Sequence, residues 1–280
     1  MLSYRHAFHA GNFADVLKHS VWLHTLSYMQ QKDKPLRIID THAGAGGYSF
    51  GGHQPIRNRE YDNGIGQLWQ KPDLPPLLAG YVAAVSAFNP DHALTQYPGS
   101  PLLTQANMRP QDRLFLHELH STDCRLLREA IGKDARVKII EEDGFQGLQA
   151  LLPPPDRRGL VLIDPSYEIK SDYQHVIKQI INAHQRFATG TYLIWYPVVL
   201  RQRIDEMEKS LQKSGIRNIQ LFEFGIAPDH PDYGMSASGM IVINPPWTLW
   251  AEMETALPYL ANQLAKPGEG HYRQVQVVPE

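Results

Sequence analysis

Four acidic residues carry the first chemical signal in this chain. Asp40, Glu118, Asp143 and Asp164 each close a short apolar run, in "LRIID", "RLFLHEL", "RVKII-EED" and "GLVLID". Runs of that length with continuous apolar character fit parallel strands covered on both faces. In a doubly wound sheet the carboxyl ends of such strands share one edge, which is where ligands bind. A carboxylate there can accept both hydroxyl protons of a ribose (Glu118), take an adenine amino group (Asp143), or grip the amine of a substrate (Asp164).

The segment "LIDPSYE" makes the third of these roles specific. It comes close to the Asp-Pro-Pro-Tyr signature used to methylate an exocyclic amine. Such an amine is a poor nucleophile because its lone pair is delocalised into the ring. Two acceptors on its N–H bonds, the Asp164 carboxylate and the Pro165 carbonyl, would localise that pair where charge develops. Tyr167 offers a π-face for the base, worth roughly 1–3 kcal/mol. Ser166 replaces the second proline, which relaxes the extended bias on Pro165 and adds an N–H. A working site, a weakened one and a plain turn all remain open on these residues. "NPPW" at 244–247 is the better spelling, but its strand reads as antiparallel to its neighbours. Its prolines then stop that strand at the edge away from the ligand.

Ahead of these sits "DTHAGAGGYS", a glycine turn after the first strand. Gly44 and Gly46 match the start of a dinucleotide fingerprint, yet Ser49 fills the third place and no long helix continues. A turn that needs no full phosphate cradle, followed by acidic strand ends, suggests S-adenosylmethionine rather than NAD.

The elements that must position these groups follow from periodicity. Strands read at 36–40, 113–119, 136–140, 159–164 and 191–196, with helices between. Ser121 and Ser171 read as helix caps; Leu126, Leu127 and Ile131 form one apolar stripe, and Val176, Ile177, Ile180 and Ile181 another. This alternation predicts an α/β doubly wound sheet. Residues 216–226 and 238–247 lack an intervening helix and predict a terminal antiparallel hairpin, followed by a helix over 249–264 and an edge strand in "YRQVQVV". Leu77, Leu78, Tyr81, Val82, Val85 and Phe88 recur at helical spacing inside a stretch with no clear strand. The domain reading is therefore a discontinuous main domain, 1–52 and 98–280, with a helical insertion at 53–97.

Composition narrows the class. Hydrophobic residues make up 42% of 280, enough for a sizeable core, and no apolar block is long enough for a membrane span. A single cysteine, Cys124, excludes an internal disulfide, and the 13 histidines show no metal-ligand spacing. A cytoplasmic enzyme with no metal is expected. The net charge of −2 argues against a general nucleic-acid binder. The pairs Arg157–Arg158 and Arg201–Arg203 read as solvated surface.

Several blocks together, "YRHAFHAGNFADVLKH", "DTHAGAGGY", "YPGSPLL", "RRGLVLIDPSYE", "ATGTYLIWYPVV" and "SASGMIVINPPW", resemble the RlmJ family along essentially the whole chain. These are methyltransferases for an adenine N6, that of nucleotide 2030, in 23S ribosomal RNA. The resemblance implies a class I, Rossmann-like methyltransferase fold with a helical insertion, acting as a monomer. It implies S-adenosylmethionine contacts at Lys18, His19, His42, Ser100, Glu118, Asp143, Gly144 and Asp164, beside the cofactor-binding candidate Gly44 of the glycine turn, makes Asp164 the catalytic acceptor, and places Tyr4 near the RNA. Without it, Ser100 before Pro101 reads as a helix cap and His19 as a core or surface histidine. Two other functions stay open: DNA adenine methylation, and an RNA-binding module that keeps the cofactor pocket but turns over weakly because of Ser166.

Overall fold

The computed structural model describes residues 9–50, 59–169, 171–230 and 234–280. Tyr4, the segment 53–58 and Lys170 lie outside them. The described strands form an eight-stranded sheet in the order β10-β8-β9-β7-β6-β1-β4-β5. β1 (Arg37–Asp40), β4 (Arg113–His117), β5 (Val137–Ile140), β6 (Gly159–Ile163) and β7 (Thr191–Val198) are mutually parallel. β6 and β7 are buried at every position, the continuous apolar pattern of strands covered on both faces. β8 (Ile219–Gly225) and β9 (Ala237–Ile243) form the expected antiparallel pair, with β9 inserted between β7 and β8. The edge strand β10 (His271–Val278) pairs antiparallel with β8.

Helices cover the sheet. α1 (Phe13–Gln30) is capped by Asn12, whose side chain accepts from the N–H groups of Ala14 and Asp15. α1 packs on β9 and on α3 (Pro76–Ser86). α4 (Ser100–Asn107) and α5 (Ser121–Ile131) precede β4 and β5; α6 (Gly144–Leu151) and α7 (Asp172–Arg186) flank β6 in sequence. α8 (Arg201–Lys213) and α9 (Leu249–Leu264) complete the layers.

Several expectations change on the structure. The stretch read without a strand contains one: β3 (Gln96–Pro98) pairs antiparallel with β2 (Gly47–Ser49) of the glycine turn, apart from the main sheet. Three-residue strands are too short to show a period. Between them run a 3-10 turn at Glu60–Asn63, α2 (Ile65–Leu68) and α3, which buries Leu77, Leu78, Tyr81 and Val85. Ser121 is the first residue of α5 rather than its cap, and Ser171 caps α7 without a side-chain hydrogen bond. The buried stripe of α5 is Cys124, Leu127 and Ile131; Leu126 is exposed. One member of each arginine pair is structural, while Arg157 is exposed and Arg203 meets the partly exposed Glu206. Arg158 donates to the carbonyls of Met29 and Lys34, and Arg201 binds Glu223 and Asp229.

"NPPW" lies where strand direction requires. β9 runs against β7, so Asn244 emerges at the amino edge of β7, where its amide donates to the carbonyls of Ala188 and Gly190 at 2.8 Å each. Trp247 is 79% exposed.

Candidate active site

At the carboxyl edge of β6, β1, β4 and β5 lies a cavity of about 380 Å³, within the range of small-molecule sites. Lys18, His19, His42, Gly44, Ser100, Glu118, Asp143, Gly144, Asp164 and Pro165, from six separate stretches of sequence, all line it. Two candidates stand apart. Asp40 lies beneath the cavity, 1% exposed, and Tyr167 is not among the lining residues.

Glu118 follows β4 directly. Its Oε2 accepts the N–H of Gly44 at 2.8 Å and its Oε1 accepts the N–H of His120 at 2.7 Å. The carboxylate is thereby fixed in direction, with lone pairs left toward the cavity. Burial pushes its pKa up, against these two hydrogen bonds. Gly44 has φ +62°, a left-handed conformation that a glycine adopts at no steric cost. Asp143 caps α6: its Oδ1 accepts from the N–H groups of Phe145 and Gln146, both at 2.9 Å. The next residue must be glycine, because a Cβ on Gly144 would stand 1.9 Å from the carbonyl of Thr41. That close approach seats the start of α6 directly on the turn after β1.

His42 projects from the glycine turn. Its Nδ1 pairs with Thr41 Oγ1 at 2.8 Å and its ring meets Phe145 edge-on at 5.1 Å. Burial pushes the imidazole down to about 4, so it is neutral at physiological pH. Ser100 is the first residue of α4, not its cap. Its hydroxyl donates to Asp40 Oδ2 at 2.6 Å. Burial pushes the Asp40 carboxyl up to about 6, although the bonds from Ser100 and the His42 N–H favour its charged form. Asp40 therefore holds the floor of the site together.

On the opposite wall, α1 delivers Asp15, Lys18 and His19 from one helical face. Lys18 Nζ lies 2.8 Å from Asp15 Oδ1 and 2.5 Å from Asp164 Oδ2, with its side chain 4% exposed. Burial works against the ammonium, and the two carboxylates outweigh it, holding the Lys18 pKa well above its ordinary value. His19 Nδ1 pairs with the Tyr97 hydroxyl at 2.8 Å. A signal for this face was present in the sequence: polar residues at i, i+3 and i+4 inside an otherwise buried helix. Asp15 carries it and was not singled out.

Asp164 ends β6, its side chain 14% exposed, followed by Pro165 and Ser166 on the cavity wall. Tyr167 then takes φ +49° and turns its ring inward. Its hydroxyl donates to the Trp195 carbonyl at 2.7 Å, and its ring packs against Tyr173 and Trp195 at 4.6 and 5.9 Å. In this conformation Tyr167 anchors the turn to β7.

A family model described as "RsmJ: Ribosomal RNA large subunit methyltransferase D, RlmJ" matches residues 33–278. The chain belongs to the RlmJ family of ribosomal RNA large subunit methyltransferases. It is 51% identical over 280 residues to the Escherichia coli (strain K12) protein named ribosomal RNA large subunit methyltransferase J, covering 100% of both chains. The Haemophilus influenzae protein of the same name is 47% identical over 281 residues, again with full coverage. A crystal structure of a Legionella pneumophila protein superposes with a TM-score of 0.88 at 36% identity, covering 96% of this chain and 98% of that one. Among the described residues no helix is long and apolar enough to cross a membrane.

Proposed function

We propose that this RlmJ-family enzyme, acting as a monomer, transfers a methyl group from S-adenosylmethionine to the exocyclic N6 of an adenine in 23S ribosomal RNA. The carrying observation is the position of Asp164. It closes β6 on the same cavity as Glu118 and Asp143, with one carboxylate oxygen held by Lys18 and Pro165 next in the chain.

The donor set fits the cofactor. Glu118 would hold the ribose hydroxyls, and Asp143, with Oδ1 committed to its helix, would offer Oδ2 to the adenine amino group. Lys18 Nζ, paired to Asp15 and Asp164, would keep a third N–H for the amino-acid end of the cofactor, and the rings of His42 and Phe145 would wall the cavity. When bound, the cofactor supplies an electrophilic methyl group.

The chain's own residues do the rest. Lys18 fixes Asp164 Oδ2, which leaves Oδ1 to accept one N–H of the substrate amine. The Pro165 carbonyl would accept the other. Gripped at both hydrogens, the nitrogen keeps its lone pair for attack, and its surplus proton leaves through Asp164 as the N–C bond forms. An acceptor held before the reaction needs no reorganisation during it, and Lys18 holds Asp164 in this way. The target base must be unpaired or flipped to reach them. Tyr167 would hold the turn at its working height, and stacking of the base on its ring would follow a local shift of that turn.

The test is labelled methyl transfer to 23S RNA lacking the modification, with unmodified duplex DNA in parallel. Transfer to RNA at adenine N6, abolished by Asp164→Ala, is expected. Transfer to DNA alone, or cofactor binding without transfer to either polymer, would overturn the proposal.

A further inference from the structure

A second cavity, of about 260 Å³, lies between α7 and α8. Its walls combine two kinds of side chain. Tyr173, Ile177 and Met207 are buried and give it an apolar floor, while Arg203 and Lys209 stand at its rim. Both helices follow parallel strands, so both begin at the carboxyl edge that carries Asp164. The cavity touches the turn that follows Asp164: the Tyr173 ring lies 4.6 Å from that of Tyr167. Tyr173 is itself fixed by a 3.0 Å bond from its hydroxyl to the Pro197 carbonyl.

Outside the residues that line this cavity, exposed aliphatic side chains precede both helices. Ile169, just before α7, is 62% exposed; Val199 and Leu200, just before α8, are 41% and 37% exposed. Ile169 also lines the first cavity, so the apolar strip begins at the wall where Asp164 stands. Large aliphatic side chains clustered beside a reactive site mark an interaction surface. The positive charge at the rim is available. Among the described residues the ion pair of Arg203 is with Glu206, at 3.4 Å between two partly exposed groups three residues apart, a pair of the kind that contributes little. A phosphate would displace it.

We propose that this strip and cavity form a second nucleotide seat, which holds an unpaired nucleotide of the RNA next to the target adenine. The base lies on Ile169, Val199 and Leu200 and enters over Tyr173, and its phosphate meets Arg203 and Lys209. The inference rests on the reading of RNA as substrate. It adds a reason why an acidic protein binds a polyanion: a few phosphate contacts combined with apolar contact to a splayed base.

The test is steady-state methylation of unmodified 23S RNA by the full chain and by Arg203→Glu/Lys209→Glu. The expected result is a KM for RNA at least about tenfold higher, kcat at saturating RNA within about twofold, and a salt slope of log KM shallower by about two units, one per lost phosphate contact. Lys133→Glu, the same charge change at the far edge of the sheet, should leave KM unchanged. Leu200→Ser tests the apolar strip and should raise KM several-fold with an unchanged melting temperature. The seat is overturned if the double variant keeps the parent KM, or if Lys133→Glu raises KM equally. It is also overturned if the charge swaps act and Leu200→Ser does not, because a phosphate contact without a base seat would explain that. Absence of transfer by the parent protein would instead sink the substrate reading itself.

Discussion

"DPSY" at 164–167 and "NPPW" at 244–247 are two spellings of one motif, placed at opposite edges of one sheet. The better-spelled copy has its amide already committed to the backbone. Asn244 spends its amide on two backbone carbonyls and sits at φ +52°, a conformation that asparagine tolerates better than most residues. It is a joint between β9 and the turn ahead of β7. Asp164, by contrast, keeps a partly exposed carboxylate on a cavity, steered by a buried lysine. The difference teaches that a motif of this type is read by strand direction before it is read by letter.

The contrast can be broken most sharply by paired alanine substitutions. Asp164→Ala is expected to lower methyl transfer by at least about 10³-fold, equivalent to about 4 kcal/mol, while cofactor binding by calorimetry persists. Were Asn244→Ala to lower kcat comparably, the assignment of the two edges would be wrong.

A second measurement concerns what lies under the catalytic edge alone. Asp40, raised to about 6, carries an extra proton in the folded state between the ordinary carboxyl value and 6, so its contribution to stability falls as pH rises through that window. His42, lowered to about 4, binds fewer protons when folded between 4 and its ordinary value of 6.5, so its contribution rises with pH. The two contributions oppose each other in the parent, each about 3 kcal/mol when summed over its window. Asp40→Asn should leave the histidine slope uncovered. Urea unfolding at several pH values between 4 and 6.5 should then show stability climbing more steeply with pH than in the parent. A flatter or falling profile would contradict the assignment.

Asn244→Ala provides the smaller, structural counterpart. It should cost about 2 kcal/mol through two lost hydrogen bonds and leave kcat and the KM for RNA unchanged. Smallest of all, Ser166→Pro should raise kcat no more than a few-fold by restricting Pro165, with unchanged cofactor affinity. A large gain would mean that the serine, and not the position of the motif, limits this site.

Much of the framework was legible because it depends on period and strand ends. Uninterrupted apolar runs located β1, β4, β5, β6 and β7, and the acidic residue after each of four of them pointed to one edge. What stayed hidden depends on contacts between distant segments. Ser100 has the letters of a cap, yet donates across 60 residues to Asp40. Tyr167 has the letters of a stacking platform, yet a left-handed backbone turns it into the wall. Arg201 has the letters of a solvated cation, yet pairs with the buried Glu223. In each case the side chain's type was compatible with several partners, and only the fold selected one. Asp15 is different in kind: its helical spacing from Lys18 was visible, and the meaning came from noticing that the face was buried.

The Asp15–Lys18–Asp164 cluster sets two carboxylates against one ammonium. On the proposed chemistry the methyl donor brings a sulfonium charge into this neighbourhood, and the product, a neutral thioether, does not. A wall with one surplus negative charge thus favours the charged donor over its spent form. Discrimination of this sort would limit product inhibition and hasten exchange, so the same three side chains that aim the carboxylate would also help reload the enzyme.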